Sequence, residues 1–291
     1  MTQTLSESAL QTFTYETPKS MDHPKATINL VRGGVLGFGI QNVQPNGGET
    51  NLHAHAAAES LWFVLKGKAR FYDTDDHLVG EYGPNEGIGI PRASAYWFEA
   101  GGDENLEIAH VTVVNKNAQN HRLNFSPLRE RQVDRHQGTS FRDLAKHHAK
   151  PMRSVKYESP EFDDIPKKIT SLWNEGDMLR LDMQKIRDGG KTNMHSYTGA
   201  DSAWFVLAGS ARFYGSGDDD KFDLNVNDGI FIPHSTPYWF ESTGSEPLEI
   251  FHIVARDVRI EKNERVNYES LKDWQEPIAV DGRDATSDDP R

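Results

Sequence analysis

The chain has 291 residues, no cysteine, and 44 acidic against 32 basic side chains, a formal charge of −12. The lack of cysteine excludes a disulfide scaffold, thiolate metal ligands, an iron–sulfur cluster and a Cys nucleophile. The negative balance argues against a nucleic-acid binder, which needs a basic face. No apolar run approaches the roughly 18 residues of a membrane span, so a small molecule is the expected partner.

The N-terminus, MTQTLSESALQ, has neither a basic start nor an apolar stretch. It does not read as a signal peptide, and a soluble, cytoplasmic protein is expected. The segment GGETNLHAHAAAESLWFVLKGKARFY begins at Gly47 and recurs as GGKTNMHSYTGADSAWFVLAGSARFY from Gly189, an offset of 189 − 47 = 142. The same offset carries Tyr15–Pro18 onto Tyr157–Pro160, Pro91–Glu99 onto Pro233–Glu241 and Leu106–His110 onto Leu248–His252. Internal similarity of this kind means two copies of one domain.

The division read from this repeat is a first domain over 1–114, a linker over 115–150, a second domain over 151–256 and an extension over 257–291. In the linker, Thr139 or Ser140 can cap a short helix with Phe141, Leu144 and Ala145 at helical spacing. A similar run, NYESLKDWQ, follows the second copy, and the polar, acidic tail after it is expected to be disordered. Inside each copy, runs such as SLWFVL, ARFY, GIGI and LEIAHVTVV are short, aromatic and β-branched. Gly, Pro, Asn and Asp separate them, which predicts an all-β sandwich or small barrel.

The chemistry-bearing segment is His53-Ala-His55-Ala-Ala-Ala-Glu59. On a strand, residues i and i+2 face one side, so His53 and His55 can point into a barrel together. A tight turn after His55 would return Glu59 beside them. Two neutral imidazoles and one carboxylate form a facial set that suits Fe(II) with open positions; manganese, nickel, copper or zinc would also fit.

This spacing resembles the first motif of the cupin superfamily: Gly, five residues, His-x-His, three or four residues, Glu, six residues, Gly. Gly47, His53, His55 and Glu59 match it in register, and the closing glycine, Gly67, comes one residue late. With the duplication, the chain resembles a bicupin, which implies two tandem jelly-roll β-barrels joined by the partly helical linker. The family's second motif fits less well. Pro91 and Pro233 match, but Asn85 and Asn227 stand at its first glycine, and Ala93 and Ser235 at its second. Its histidine ligand is Tyr96 here and Tyr238 in the second copy.

Two residues are candidates to fill that gap. Tyr96 would bind as phenolate or act beside the metal as a proton donor or acceptor. His110, which shares a strand face with Leu106, Ile108 and Thr112, would reach in from a neighbouring strand. Phe98 and Phe63 join Tyr96 as expected pocket walls. The second copy carries His195, Tyr197 and Asp201 at the matching places, with Tyr238 and His252. A phenol and a shorter carboxylate make this a degenerate half, with a second site on His195, Asp201 and His252 as the alternative. The plain reading of His110 and His252 is a core histidine bonded to a buried carboxylate, and both readings stay open.

The resemblance implies one divalent metal ion, Fe(II) favoured, and a dioxygenase acting on a small enol, diketone or aromatic hydroxy substrate. A non-redox isomerase, lyase or cyclase using zinc, manganese or nickel is the alternative. A non-catalytic small-molecule-binding cupin is a third reading, and a homodimer is the expected assembly.

Overall fold

A computed structural model describes residues 9–45, 47–126, 143, 146–147, 150–162, 166–174, 176–217, 220–268 and 278–279. The strands of the first half are β1 (Gln11–Thr14), β2 (Lys25–Gly33), β3 (Leu36–Val43), β4 (His53–His55), β5 (Ala58–Lys66), β6 (Ala69–Tyr72), β7 (Leu78–Tyr82), β8 (Glu86–Ile90), β9 (Trp97–Ala100), β10 (Leu106–Val114), β11 (Arg122–Asn124) and β12 (Arg153–Lys156). The second half repeats them as β13 (Lys167–Trp173), β14 (Leu179–Ile186), β15 (His195–Tyr197), β16 (Ala200–Ala208), β17 (Ser210–Tyr214), β18 (Lys221–Leu224), β19 (Asp228–Ile232), β20 (Trp239–Thr243), β21 (Leu248–Arg256), β22 (Arg265–Asn267) and β23 (Ile278–Ala279).

The architecture is all-β, and no α-helix occurs among the described residues. The partly helical linker is therefore not supported; its key residues Thr139, Ser140, Phe141, Leu144 and Ala145 lie outside the described residues, as does most of NYESLKDWQ and the acidic tail. No described helix is long and apolar enough to cross a membrane.

Two compact units form, Tyr15–Glu158 in one and Ser159–Arg291 with Met1–Thr14 in the other. These units cut across the linear division at 114 and 150, because strand pairing regroups the chain. β1 precedes the first copy yet pairs antiparallel with β19, Gln11 opposite Phe231. β12 stands at the matching place before the second copy and pairs with β8, Arg153 opposite Gly89. Each copy thus delivers its leading strand to the other unit.

In the first unit a six-stranded sheet, β12-β8-β5-β10-β3-β2, faces a smaller one, β7-β6-β9, with the pair β11-β4 beside them. The core between the layers takes Trp62 and Val64 from β5, Ile88 and Ile90 from β8, Ile108 from β10, and Phe71 and Phe98 from the smaller sheet. Alternation along each strand decides which side chains enter this interior. The second unit repeats the plan, with sheets β1-β19-β16-β21-β14-β13-β23 and β18-β17-β20, and the pair β15-β22. Exposed pairs Arg70–Glu81 and Arg212–Asp223 staple neighbouring strands at 2.7 Å and 2.6 Å and contribute little each.

Candidate functional site

β4 is only three residues long, and it is held on both sides. One edge pairs with β11, His55 opposite Arg122 and His53 opposite Asn124. The other meets the loop before β9: Tyr96 N–H donates to the His53 carbonyl at 2.9 Å, His53 N–H to Tyr96 at 3.1 Å and Ala93 N–H to His55 at 2.9 Å. Ala93 (φ 60°) and Ser235 (φ 62°), like Asn85 and Asn227, hold left-handed backbone. The second motif therefore keeps the backbone of its glycines although their side chains have changed.

His53 and His55 stand edge to face, ring centroids 5.3 Å apart, and the Tyr96 ring is 4.7 Å from His53. The Asn51 carbonyl lies 2.8 Å from His53 Nδ1. A carbonyl only accepts, so Nδ1 carries the proton and Nε2 the lone pair. Burial, at 2% exposure, holds this imidazole neutral by pushing its pKa well below the usual value. Tyr96 accepts a hydrogen bond from Trp62 Nε1 at 3.1 Å, and burial raises its pKa to about 12. Burial therefore favours the phenol over the phenolate at neutral pH.

His110 lies opposite Trp62 on β5 and Gly39 on β3. Its ring stacks on the indole at 3.7 Å, and its buried Nε2 has no hydrogen-bond partner. Burial and the field of His55 keep it neutral. The buried-carboxylate partner allowed for it is absent: Glu107 accepts from Tyr15 and Thr17, and Glu99 from Tyr72.

Glu59 does not join them. Along β5, Ser60, Trp62 and Val64 face the interior, Ser60 lying opposite Ile90 and Trp62 opposite Ile88. Glu59, Leu61 and Phe63 share the other face, and the Glu59 carboxylate lies 3.8 Å from Arg92 Nε. The facial two-His, one-Glu set is therefore not assembled, and Phe63 does not line the histidine face; Phe98 does, 4.8 Å from Trp62. Ser60 is separated from His55 by four residues and from Gly67 by six, the place an inward carboxylate would take. The late Gly67 was the signal. Among the described residues, the group of three ligand-type side chains gathered within 4.8 Å is Asp73, Asp75 and His77 on the β6–β7 turn. There, Asp73 already accepts the backbone N–H groups of Asp75 and His77.

A second feature lay outside the sequence reading. Arg122, beside His55, donates from Nε to Asn124 Oδ1 at 2.9 Å and from a terminal nitrogen to Asn51 Oδ1 at 2.6 Å. Asn51 in turn donates to Asn124 at 3.0 Å. Burial lowers the guanidinium pKa to about 10, and no carboxylate pairs with it among the described residues. Lys25 is also near, its ammonium 4.6 Å over the Phe98 ring.

The second unit repeats the frame. His195 Nδ1 lies 2.9 Å from the Asn193 carbonyl, Tyr238 4.5 Å away and Tyr197 5.7 Å away, ring to ring. Arg265 bonds Asn193 and Asn267 as Arg122 bonds Asn51 and Asn124. Asp201, like Glu59, faces away and accepts from the backbone N–H of His234 at 2.9 Å, so the site on His195, Asp201 and His252 does not form. Instead Asp182 lies opposite His252, its carboxylate 2.8 Å from Arg180 and 3.8 Å from His252 Nδ1.

No family model matches the chain. An uncharacterized protein of Methanocaldococcus jannaschii is 34% identical over 62 residues, 21% of this chain. The matching stretch spans about half (48%) of that relative. Among solved structures, salicylate 1,2-dioxygenase of Pseudoaminobacter salicylatoxidans in complex with gentisate superposes with TM-score 0.64 at 13% identity, over 85% of this chain and 79% of that one. Oxalate decarboxylase of Bacillus subtilis gives 0.57 at 15%, over 88% and 79%. The coconut allergen cocosin gives 0.61 at 12%, over 89% and 87%. At these identities the likeness is one of fold.

Proposed function

Because the chain has the bicupin fold, we propose that its first barrel is a metal-dependent oxidoreductase site, of the dioxygenase type, acting on a small hydroxy- or enol-bearing carboxylate. The observation that carries this reading is Arg122, a largely buried guanidinium held by two amides beside His53 and His55, with no acid partner among the described residues. A buried cation calls for an anion, and a guanidinium fork matches a carboxylate.

The imidazoles of His53, His55 and His110 would hold one divalent cation, iron favoured. Their chemistry fits: His53 and His110 are kept neutral, and His110 Nε2 is without a hydrogen-bond partner. Their nitrogens are not gathered within 4.8 Å, so coordination requires rotation of the rings. When bound, the ion would acidify the substrate hydroxyl and bring dioxygen to it. Arg122 orients the carboxylate, Trp62 and Phe98 form a dry aromatic wall, and Tyr96, protonated at neutral pH, donates a hydrogen bond to a developing oxyanion.

The test is elemental analysis of untagged protein together with oxygen uptake on salicylate. Close to one iron per chain, and uptake lost in both His53→Ala and Arg122→Met, is the expected result. Zinc, manganese or nickel at that level without uptake favours the isomerase or lyase reading. The spread of the imidazole nitrogens favours the non-catalytic reading, and absence of metal after reconstitution would establish that one.

A further inference from the structure

The second unit carries an open cleft of about 940 Å³, within the size range of small-molecule sites, where β21 ends and the segment 261–266 runs into β22. Along β21, His252, Val254 and Arg256 lie at alternate positions and share a face, which places Arg256 at the end of the strand that carries His252. Arg256 Nε is buried without a hydrogen-bond partner. The guanidinium pairs with no carboxylate among the described residues, although Asp177 and Glu261 line the same cleft. Asn263 lines it too; it is 7% exposed, and its Nδ2 is likewise buried and unpartnered.

The first copy has neither buried donor at the matching places. Arg256 stands where that copy has Val114, at the common offset of 256 − 114 = 142. Asn263 has a counterpart in Asn120: each accepts a backbone N–H through Oδ1 at 3.1 Å, from Gly199 and from Ala57. Asn120 is exposed to water, whereas Asn263 is buried. The frame is repeated, and the second copy has added buried donors to it. A buried donor without an acceptor is costly, and here a cation and an amide bring that deficit to one cleft. Lys262, at the rim, is already held by Glu264 at 2.8 Å.

We infer that this cleft binds a small polyhydroxylated carboxylate. Arg256 and Asn263 supply donors to its carboxylate, whose oxygens only accept, and a guanidinium matches that group. Asp177 and Glu261 supply acceptors, which suit hydroxyl groups and disfavour a second negative charge on the ligand. No residue of the first barrel takes part, so the cleft is independent of whether that barrel holds a metal.

The experiment is calorimetric titration of the full chain with gluconate, and with sorbitol as the counterpart that lacks the carboxylate. The wild type should bind gluconate, and sorbitol at least ten-fold more weakly. Arg256→Met should weaken gluconate at least ten-fold, as expected for a lost charged hydrogen bond. Asn263→Asp keeps the Oδ1 acceptor for Gly199 and replaces the N–H donor by a second oxygen. It should weaken gluconate to a similar extent while the melting temperature holds or rises, a combination that a merely structural role would not give. Arg122→Met should leave this binding unchanged. Loss of gluconate through Arg122→Met alone overturns the inference and places the ligand in the first barrel. Affinity unchanged by both Arg256→Met and Asn263→Asp, sorbitol bound as tightly as gluconate, or no gluconate bound at all would each overturn it.

Discussion

One residue of register separates Glu59 from Ser60, and on a strand that reverses the face. Glu59→Gln should therefore leave metal content per chain unchanged, whereas His110→Ala should reduce it at least ten-fold; elemental analysis of the two variants decides whether the carboxylate is a ligand. A second residue-scale prediction concerns backbone. Ala93 sits at φ 60°, where an L side chain pays roughly 1–2 kcal/mol. Glycine relieves this and gives back part in unfolded-state entropy. Ala93→Gly should raise stability by about 0.5–1 kcal/mol, read as a shift in the urea midpoint. The histidines were legible because their alternation needs only local counting. Arg122 was not, since its role rests on Asn51 and Asn124 arriving from elsewhere in the chain, and in the second copy its counterpart Arg265 lies one residue off the common offset.

The strands themselves were legible in outline: short aromatic runs, turn residues between them, and a duplication that fixes both copies at once. What local pattern could not carry was which strand completes which sheet, because a four-residue strand such as β1 gives no sign of its partner. Leu10, just ahead of β1, is 5% exposed in the second unit's core with Trp204 and Ile230. Leu10→Ala should cost about 2–4 kcal/mol, and a calorimetric scan should show that loss in the transition of the second unit alone. For the same reason a fragment of residues 15–158 should fold cooperatively, while 1–114, which lacks β12, should expose the β8 edge and aggregate. Circular dichroism and light scattering on the two fragments separate these outcomes.

For the chain as a whole, buried bases set the pH response. Burial holds His195 at about 3 and His252 well below its usual 6.5. Below pH 6.5 the unfolded chain takes up protons that these native imidazoles refuse, so stability falls by about 1.4 kcal/mol per pH unit for each. Lys167, lowered to about 7 from 10.5, acts in the same sense at alkaline pH: the unfolded amine binds the extra proton between 7 and 10.5, so stability rises across that window. Urea unfolding at pH 5.0, 6.0, 7.5 and 9.0, followed by tryptophan fluorescence, should give midpoints that climb throughout, and a maximum near pH 6 would contradict the assignment. The exchanged leading strands bear on origin as well. A single copy obeying the same pairing rule could finish its sheet only by trading that strand with a second chain, so its folding would have depended on dilution. Joining two copies end to end turns that trade into an intramolecular event at high effective concentration. What had been an encounter between molecules becomes a property of one gene product, and each half is then free to change its interior without losing its partner.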